Sequence, residues 1–414
     1  MKSLFQYLSE GKADKNLHLE HLEDMVFDHG IDGARTSINF LRSIRDMLSS
    51  GTLSSMNISV KWDGAPAVFA GIDPEDGKFF VGTKGVFAQT PKLIKTNADL
   101  DKHGYSGGLA DKLKVALKEL SKLGIDGVMQ GDMMYTSDDL STETIDGKSY
   151  VTFQPNTIVY AVESGSALAK KINASKMGIV FHTTYTGDVL ADMKASIGVN
   201  ISTLTKTKSV WFDDAQFKDV SGTLTMTADE TKKLGSFLSA AGTVFRKINS
   251  RDLKAFLAMQ DALGGASGSG IKTYNNTKVR AGEKITNPKS HAQGYLKYFS
   301  DWHDKKIAAI KTEKTKKNKE LIKQQHLKVY KKSVNTLGAV LEFQNHIVDA
   351  KNFLIGKLSK SKGLTSTFVK TSKGFKITSP EGYVAVDHDG NMIKLVDRLE
   401  FSHQNFTAIK NWDS

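Results

Sequence analysis

The segment Val60-Lys61-Trp62-Asp63-Gly64-Ala65-Pro66 carries an apolar, alternating stretch into a turn. A lysine at the end of a strand, held against a partly buried surface, can lose enough proton affinity to act as a nucleophile. Asp63, two residues on, can orient it, and Gly64 permits a tight turn or the close approach of a ligand. The chain has no cysteine, which removes thiolate nucleophiles, disulfide scaffolds and Cys-based metal centres. Oxygen, imidazole and lysine chemistry remain, and a lysine nucleophile is the covalent chemistry this sequence best supports. Further along, Lys84 stands beside Gly85, Asp132 follows Gln130-Gly131 at a strand end, and Phe181 lies on a strand before His182. Glu381 precedes Gly382, and Lys394 lies in a short apolar stretch. On residue types alone these positions also fit a surface turn at Lys61, a turn acid at Asp132, a core aromatic at Phe181 and a solvated edge-strand lysine at Lys394.

Elements must hold these residues. From 16 to 50, apolar residues fall at helical spacing, with Leu19, Leu22 and Val26 and then Ile38, Leu41, Ile44 and Leu48. The spacing predicts two helices broken between Gly30 and Gly33. From Met56 onward, alternation and short apolar runs predict strands at 58–60, 67–69, 79–81, 128–129 and 158–162, with a helix at about 110–123. A second helical stretch begins near Ala228 and is interrupted by the glycine- and serine-rich loop at 264–270. It ends in one continuous apolar face through Leu327, Tyr330, Val334, Leu337, Leu341 and Val348. The pieces at 374–377, 382–386 and 391–396 read as strands, with a turn at 387–390. Strands at both ends with helices between predict an α+β chain in four parts: an N-terminal helical segment at 1–50, a first core part at 51–200, a basic, mainly helical insertion at 201–370, and closing core strands at 371–414.

Taken in order, Lys61-Trp62-Asp63-Gly64, Asp132, Phe181, Glu381-Gly382 and Lys394 resemble the covalent nucleotidyltransferase superfamily of DNA ligases, RNA ligases and mRNA capping enzymes. That superfamily carries a KxDG nucleophile, a strand with Glu or Asp, an aromatic that stacks on the base, an EG-containing strand and a final lysine strand. The resemblance covers about 56–189 and 375–398, and the 249 residues from Asp132 to Glu381 make it require the helical insertion. It implies a nucleotidyltransferase fold, an ATP-grasp-like ligase core of antiparallel sheets with N-terminal helices and a large insertion. It also implies ATP and Mg²⁺ as cofactors. Lys61 would attack the α-phosphate and store AMP as a phosphoramidate. Asp132 and Glu381 would contact the ribose or hold Mg²⁺, while Lys394 and Lys84 would neutralise phosphate charge. Gly64 would let the nucleotide approach, and Phe181 would stack on the base, with Tyr160 as a competitor for that role.

Departures from the pattern bear on the subclass. No Arg follows the KxDG segment closely, and Gln130-Gly131-Asp132 resembles the QGE strand of several RNA ligases with Asp for Glu. Val396 stands where the superfamily has a second lysine, so the phosphate clamp is expected to be weaker or completed by Arg398. About sixteen residues follow Arg398, too few for a trailing OB domain. These features favour an RNA-ligase-like enzyme, joining a 5′-phosphate to a 3′-hydroxyl through lysyl-AMP, over a nick-sealing DNA ligase. A non-catalytic nucleic-acid-binding or virion-associated protein on the same fold, or a protein modifier that transfers AMP, is the alternative. The opening Met1-Lys2-Ser3-Leu4-Phe5-Gln6-Tyr7-Leu8 resembles that of many proteins of large tailed bacteriophages.

Lys plus Arg number 57 against 45 Asp plus Glu, a formal charge of +12. Residues 301–332 hold eleven Lys and four acids, a net +7. Such a segment predicts a polyanionic partner, here RNA or DNA ends, held across the nucleotide pocket by Lys305, Lys306, Lys311, Lys314, Lys316 and Lys317. Trp302, Tyr295 and Tyr298 stand close by in sequence. No long apolar run or signal-type segment is found, so no membrane partner and a cytoplasmic location are expected. His18 and His21, among Glu20, Glu23 and Asp24, are expected on an exposed charged helix face rather than at a metal. The near-match to a phosphate loop at 265–273 has Ile271 in place of its Lys and reads as a mobile loop.

Overall fold

The computed structural model describes residues 21–50, 56–216, 225–360, 365–371, 374–378, 380–387 and 392–402. Helix α1 (Met25–Ser50) is kinked at Gly30, whose φ of 60° and ψ of −136° lie outside the helical region, as the glycines predict. The alternating region forms β1 (Met56–Lys61), β2 (Ala67–Ile72), β3 (Phe79–Gly82), α2 (Gly107–Leu120) and β4 (Val128–Thr136). It continues through β5 (Ser141–Ile145), β6 (Lys148–Phe153), β7 (Val159–Glu163), α3 (Ala167–Ala174), β8 (Met177–Thr186), β9 (Lys194–Ile197) and β10 (Val210–Asp214). The helices α4 (Ala228–Phe245), α5 (Ser250–Asp261), α6 (Ile271–Arg280), α7 (Pro288–Ala308) and α8 (Glu313–Leu358) follow. Strands β11 (Ser366–Thr371), β12 (Gly374–Ile377), β13 (Gly382–Asp387) and β14 (Met392–Leu395) come last. The fold is mixed α+β. Within the span expected as a helical insertion, β10 and β11 are strands, pairing with β8 and β7 respectively. The predicted turn at 387–390 begins inside β13 and otherwise lies outside the described residues.

The largest sheet runs β10-β8-β4-β2-β3, with β9 added to β8, and all its pairs are antiparallel except β10 with β8. Side chains of a strand alternate between faces. One face, with Val68, Ala70, Met129, Met133, Ile179 and Phe181, buries against Leu113, Ala116 and Leu120 of α2. The other face carries Met134, Tyr135 and Val180, which pack on Phe153, Tyr160 and Val162 of the second sheet, β12-β11-β7-β6-β5.

The third sheet, β1-β13-β14, joins this part to the helices. Ile58, Tyr383, Ala385, Ile393 and Leu395 point into one core with apolar residues of α1, α4, α5, α7 and α8. Its opposite face carries Ser59, Lys61 and Val384, and the register sets Lys394 directly across from Val384.

Behind the sheet, charge is buried inside the helical core. Lys351 Nζ donates to both Glu23 carboxylate oxygens at 2.8 and 2.7 Å, and both side chains are almost wholly out of solvent. Burial alone would raise the Glu23 carboxyl, but Lys351, with His21 and Arg398, holds it at about 2. Removing one partner of such a pair strands a charge in the core. Lys351→Met is therefore expected to cost about 3–5 kcal/mol in urea unfolding, whereas Glu23→Leu with Lys351→Met should return close to the parent stability. Equal losses in the single and double variants would show that the pair is not what holds this junction.

Candidate functional site

A cavity of about 1250 Å³ opens beside the end of β1, and its lining comes only from residues between 59 and 215 together with Val384. Lys61, Lys84, Gln130, Asp132, Asn156 and His182 are among its polar groups. Lys61 is the last residue of β1 and lies opposite Gly382 of β13. Its ammonium donates to the carboxylate of Glu381, 320 residues away in the chain. Lys61 is 28% exposed and Glu381 12%, so the amine faces the cavity while the carboxylate is mostly withdrawn from water. Burial pushes the Glu381 carboxyl up to about 7, even against the pull of Lys61. Gly382 has φ of +152° and passes so close to β14 that a Cβ would fall 2.3 Å from the Leu395 carbonyl oxygen. A glycine after Glu381 is thus what lets the strand turn the carboxylate toward Lys61.

Asp63 does not orient Lys61, contrary to expectation. Its carboxylate accepts from Asn156 Nδ2 at 2.8 Å and from the backbone N–H groups of Thr157 and Ile158 at 2.7 and 3.0 Å. Its own N–H donates to the Tyr160 hydroxyl at 2.7 Å. These bonds tie the turn after β1 to the connection between β6 and β7, and Trp62 stacks on Tyr160 with ring centroids 5.1 Å apart. Gly64 packs directly on β4: a Cβ there would lie 2.5 Å from Asp132 Cβ and 3.0 Å from the Met133 carbonyl oxygen. That contact brings Asp132 beside the turn.

The expected stacking aromatics are in the wrong place for a ligand. Phe181 has no exposed surface and belongs to the α2-facing core. Tyr160 is equally buried, between Trp62 and Phe153. His182 instead lines the cavity from a bulge in β8, skipped between the pairs Gln130–Thr183 and Gly131–Phe181, with Nε2 3.8 Å from the Asp132 carboxylate and Nδ1 2.7 Å from Thr183 Oγ1. Gln130 lies two residues before Asp132 on the same face of β4 and accepts from the Tyr185 hydroxyl at 2.7 Å. Sequence reading gave no role to His182, Gln130, Asn156 or Lys112, all of which line the cavity; the period-two pattern was the signal for Gln130, two residues before Asp132.

Lys84 follows β3 and lines the cavity, and Lys112 is paired with Asp139 at 3.1 Å elsewhere on the lining. Lys394 shares the sheet face of Ser59 and Val384 but is not among the lining residues. Val396 is in the core with Trp62, so no second basic group follows on that strand. Arg398 cannot complete a phosphate clamp, because it binds Asp24 at 3.1 Å and also Asn276 on the far side of the sheet. Glu381 is engaged by Lys61, and among the described residues no group of three or more His, Asp or Glu could hold a metal ion. His21 is half-buried rather than exposed, its pKa lowered to about 3 chiefly by withdrawal from water, and His18 lies outside the described residues.

The basic residues lie elsewhere. Lys305 and Lys306 end α7, Lys311 is in the connection, and Lys314, Lys316 and Lys317 begin α8, where Lys316 pairs with Glu313 at 2.8 Å. The other end of α8 carries Ser359, whose hydroxyl hydrogen-bonds that of Tyr383, opposite Val60 on β13. At 1.5 Å per residue, Lys317 and Ser359 are separated by about 63 Å along the helix. These lysines therefore do not lie across the cavity. Nor do the nearby aromatics face a ligand: Tyr295 is fully buried, Tyr298 donates to the Gly268 carbonyl, and Trp302 packs on Gly268.

The Glu381 environment has a measurable consequence. An unfolded glutamate loses its proton near 4.5, whereas folded Glu381 keeps it up to about 7. The folded chain binds the extra proton between those values, so this contribution to stability is full below pH 4.5 and lost as pH rises through 7. Glu381→Gln should flatten the fall in urea midpoint between pH 4.5 and 7; an unchanged slope would place the proton elsewhere.

No curated protein and no solved structure matches the chain. A family of unknown function, DUF6267, matches residues 16–410, nearly the whole length, and the protein belongs to that family.

Proposed function

We propose that the protein is an ATP-dependent polynucleotide ligase, acting on RNA ends in preference to DNA, that works through a lysyl-AMP intermediate. The observation that carries this reading is the amine of Lys61 at the cavity wall, paired with a buried carboxylate from a strand 320 residues away. A carboxyl that titrates at about 7 is suited to take a proton from that ammonium near neutrality. The free amine attacks the α-phosphorus of ATP, an N–P bond forms, the bond to the β-phosphate oxygen breaks, and pyrophosphate leaves with the second nitrogen proton. The AMP then passes to a 5′-phosphate, and a 3′-hydroxyl displaces it as the strand is sealed.

On this reading Lys84, on the cavity lining, would meet phosphate charge, and Gln130 and Asn156 would offer neutral hydrogen-bonding groups to the nucleotide. Mg²⁺ takes one or two carboxylates together with water and substrate phosphates, and Asp132 on the lining fits that donor set. Bound there, the ion would offset charge on the departing pyrophosphate. The preference for RNA rests on the resemblance of Gln130-Gly131-Asp132 to the strand of RNA ligases. A second reading, nucleotide binding without transfer, draws on Val396 and Phe181, whose packing in the core removes two groups the superfamily uses.

Incubation with ATP and Mg²⁺ should add one AMP to the chain, mapped by peptide mass spectrometry to Lys61 and absent in Lys61→Ala. Adduct formation should fall as pH drops below about 7, where Glu381 already holds a proton, and Glu381→Gln should slow it on the order of 100-fold or more. Nucleotide bound without any adduct would establish the second reading, and an adduct surviving Lys61→Ala would end the first. Nicked RNA and nicked DNA duplexes then separate the two ligase classes.

A further inference from the structure

The N-terminal half of α8 is fixed on its inner side. Lys323 Nζ bonds Asp304 of α7 at 2.6 Å, His326 meets the Met259 carbonyl oxygen of α5 at 3.1 Å, and Tyr330 is buried against Phe256 and Tyr295. At about 100° per residue, Lys314, Lys317, Leu321, Gln324, Lys328, Lys331, Lys332 and Asn335 fall together in an outward arc roughly 100° wide. Every one of them is exposed. The two acids of this half turn to lysines off the arc, Glu313 to Lys316 at 2.8 Å and Glu320 to Lys323 at 3.1 Å. What faces solvent is a straight row of five lysines about 27 Å long on a rigid helix.

We infer that this face of α8 is a docking surface for double-stranded nucleic acid, gripped by its phosphates and without regard to sequence. A single strand is held by stacking its bases on aromatic rings. The arc has no aromatic residue, and the aromatics behind it, Tyr295, Phe299 and Tyr330, are wholly buried. A membrane surface calls for a broad apolar face beside the cations, and Leu321 is the single large apolar residue on the arc. A duplex hides its bases and offers regular rows of phosphate, the partner a row of ammonium groups fits. The surface differs from the cluster first read from sequence. It drops Lys305, Lys306, Lys311 and Lys316 and adds Lys328, Lys331 and Lys332. It is independent of the chemistry assigned to the cavity, since binding needs neither ATP nor Lys61.

The test compares the full chain with a variant carrying Lys314→Gln, Lys317→Gln, Lys328→Gln, Lys331→Gln and Lys332→Gln. A charge-matched control carries Lys102→Gln, Lys118→Gln, Lys170→Gln, Lys171→Gln and Lys194→Gln at exposed sites on the sheet part. Fluorescence anisotropy with duplexes of about 20 base pairs, RNA and DNA, across a salt series gives the slope of log K against log salt; each lost phosphate contact lowers its magnitude by about 0.9, so the α8 variant should lose about 4.5 while the control keeps the parent slope. Circular dichroism establishes that both variants are folded. The proposal fails if the α8 variant and the control lose slope equally, or if neither loses any. It also fails if the parent holds a single strand of the same length, or vesicles containing phosphatidylserine, more tightly than the duplex.

Discussion

The antiparallel pairing of β1 with β13 places Lys61 opposite Gly382, and it joins residues more than 300 apart in the chain. Its inner face is apolar and belongs to the helical core, while its outer face carries Lys61 and the rim of the cavity. It brings Lys61, which comes before α4 to α8, to Glu381, which comes after them. Loop-closure entropy rises only slowly with length, so a long intervening segment is tolerated when it folds on its own contacts. The segment between β10 and β11 does so, with α8 as the common wall for α4, α5 and α7. Its C-terminal end is then tied down by Lys351 to Glu23, Asn352 to Asp397 and Ser359 to Tyr383 of β13.

Buried carboxylates at this junction show how partner geometry decides what burial does. Glu23, Asp24 and Glu381 are all withdrawn from water, which by itself raises each of them. Glu23 meets a lysine on both oxygens and falls to about 2. Asp24 has a more distant arginine and Glu23 as a like-charged neighbour, and it rises to about 6. Glu381 has Lys61, but also Asp63 and Asp132 close enough to oppose its charge, and it reaches about 7. The first is a structural tie, fixed in one protonation state over the physiological range. The last can exchange a proton there, and it is the one set beside the half-buried amine of Lys61.

What the sequence disclosed follows from what one-dimensional patterns encode. The kinked α1 and the long α8 were legible because their apolar positions repeat at helical spacing and glycines mark the break. The strands carrying Lys61 and Lys394 were legible from alternation, whereas β4 runs on to Thr136 and holds Asp132 in its middle rather than at a strand end. A period of two, however, says that neighbours face opposite ways without saying which way is inward. That choice was made by α2, which covers the face bearing Phe181 and leaves His182 to the cavity. Asp63 was misread for a related reason: its partners, Asn156, Thr157 and Ile158, lie in a loop whose proximity no local pattern reveals. The strands β10 and β11 are short and take their identity from pairing with β8 and β7 rather than from their own composition.

Charge was the most legible property and the least well located. The count of +7 across 301–332 was correct, but a net charge has no direction. Folding sorts those lysines by helix face: Lys323 goes inward to Asp304 and Glu320, Lys316 is spent on Glu313, and the outward arc keeps its charge for solvent. The length of α8 sets the reach between that arc and the cavity. Lys328 stands 31 residues before Ser359, about 47 Å at the helical rise, and Lys314 about 68 Å. At about 3.4 Å per base pair those distances correspond to roughly 14 and 20 base pairs of duplex. The rigidity of one uninterrupted helix, rather than any contact within the cavity, fixes that scale.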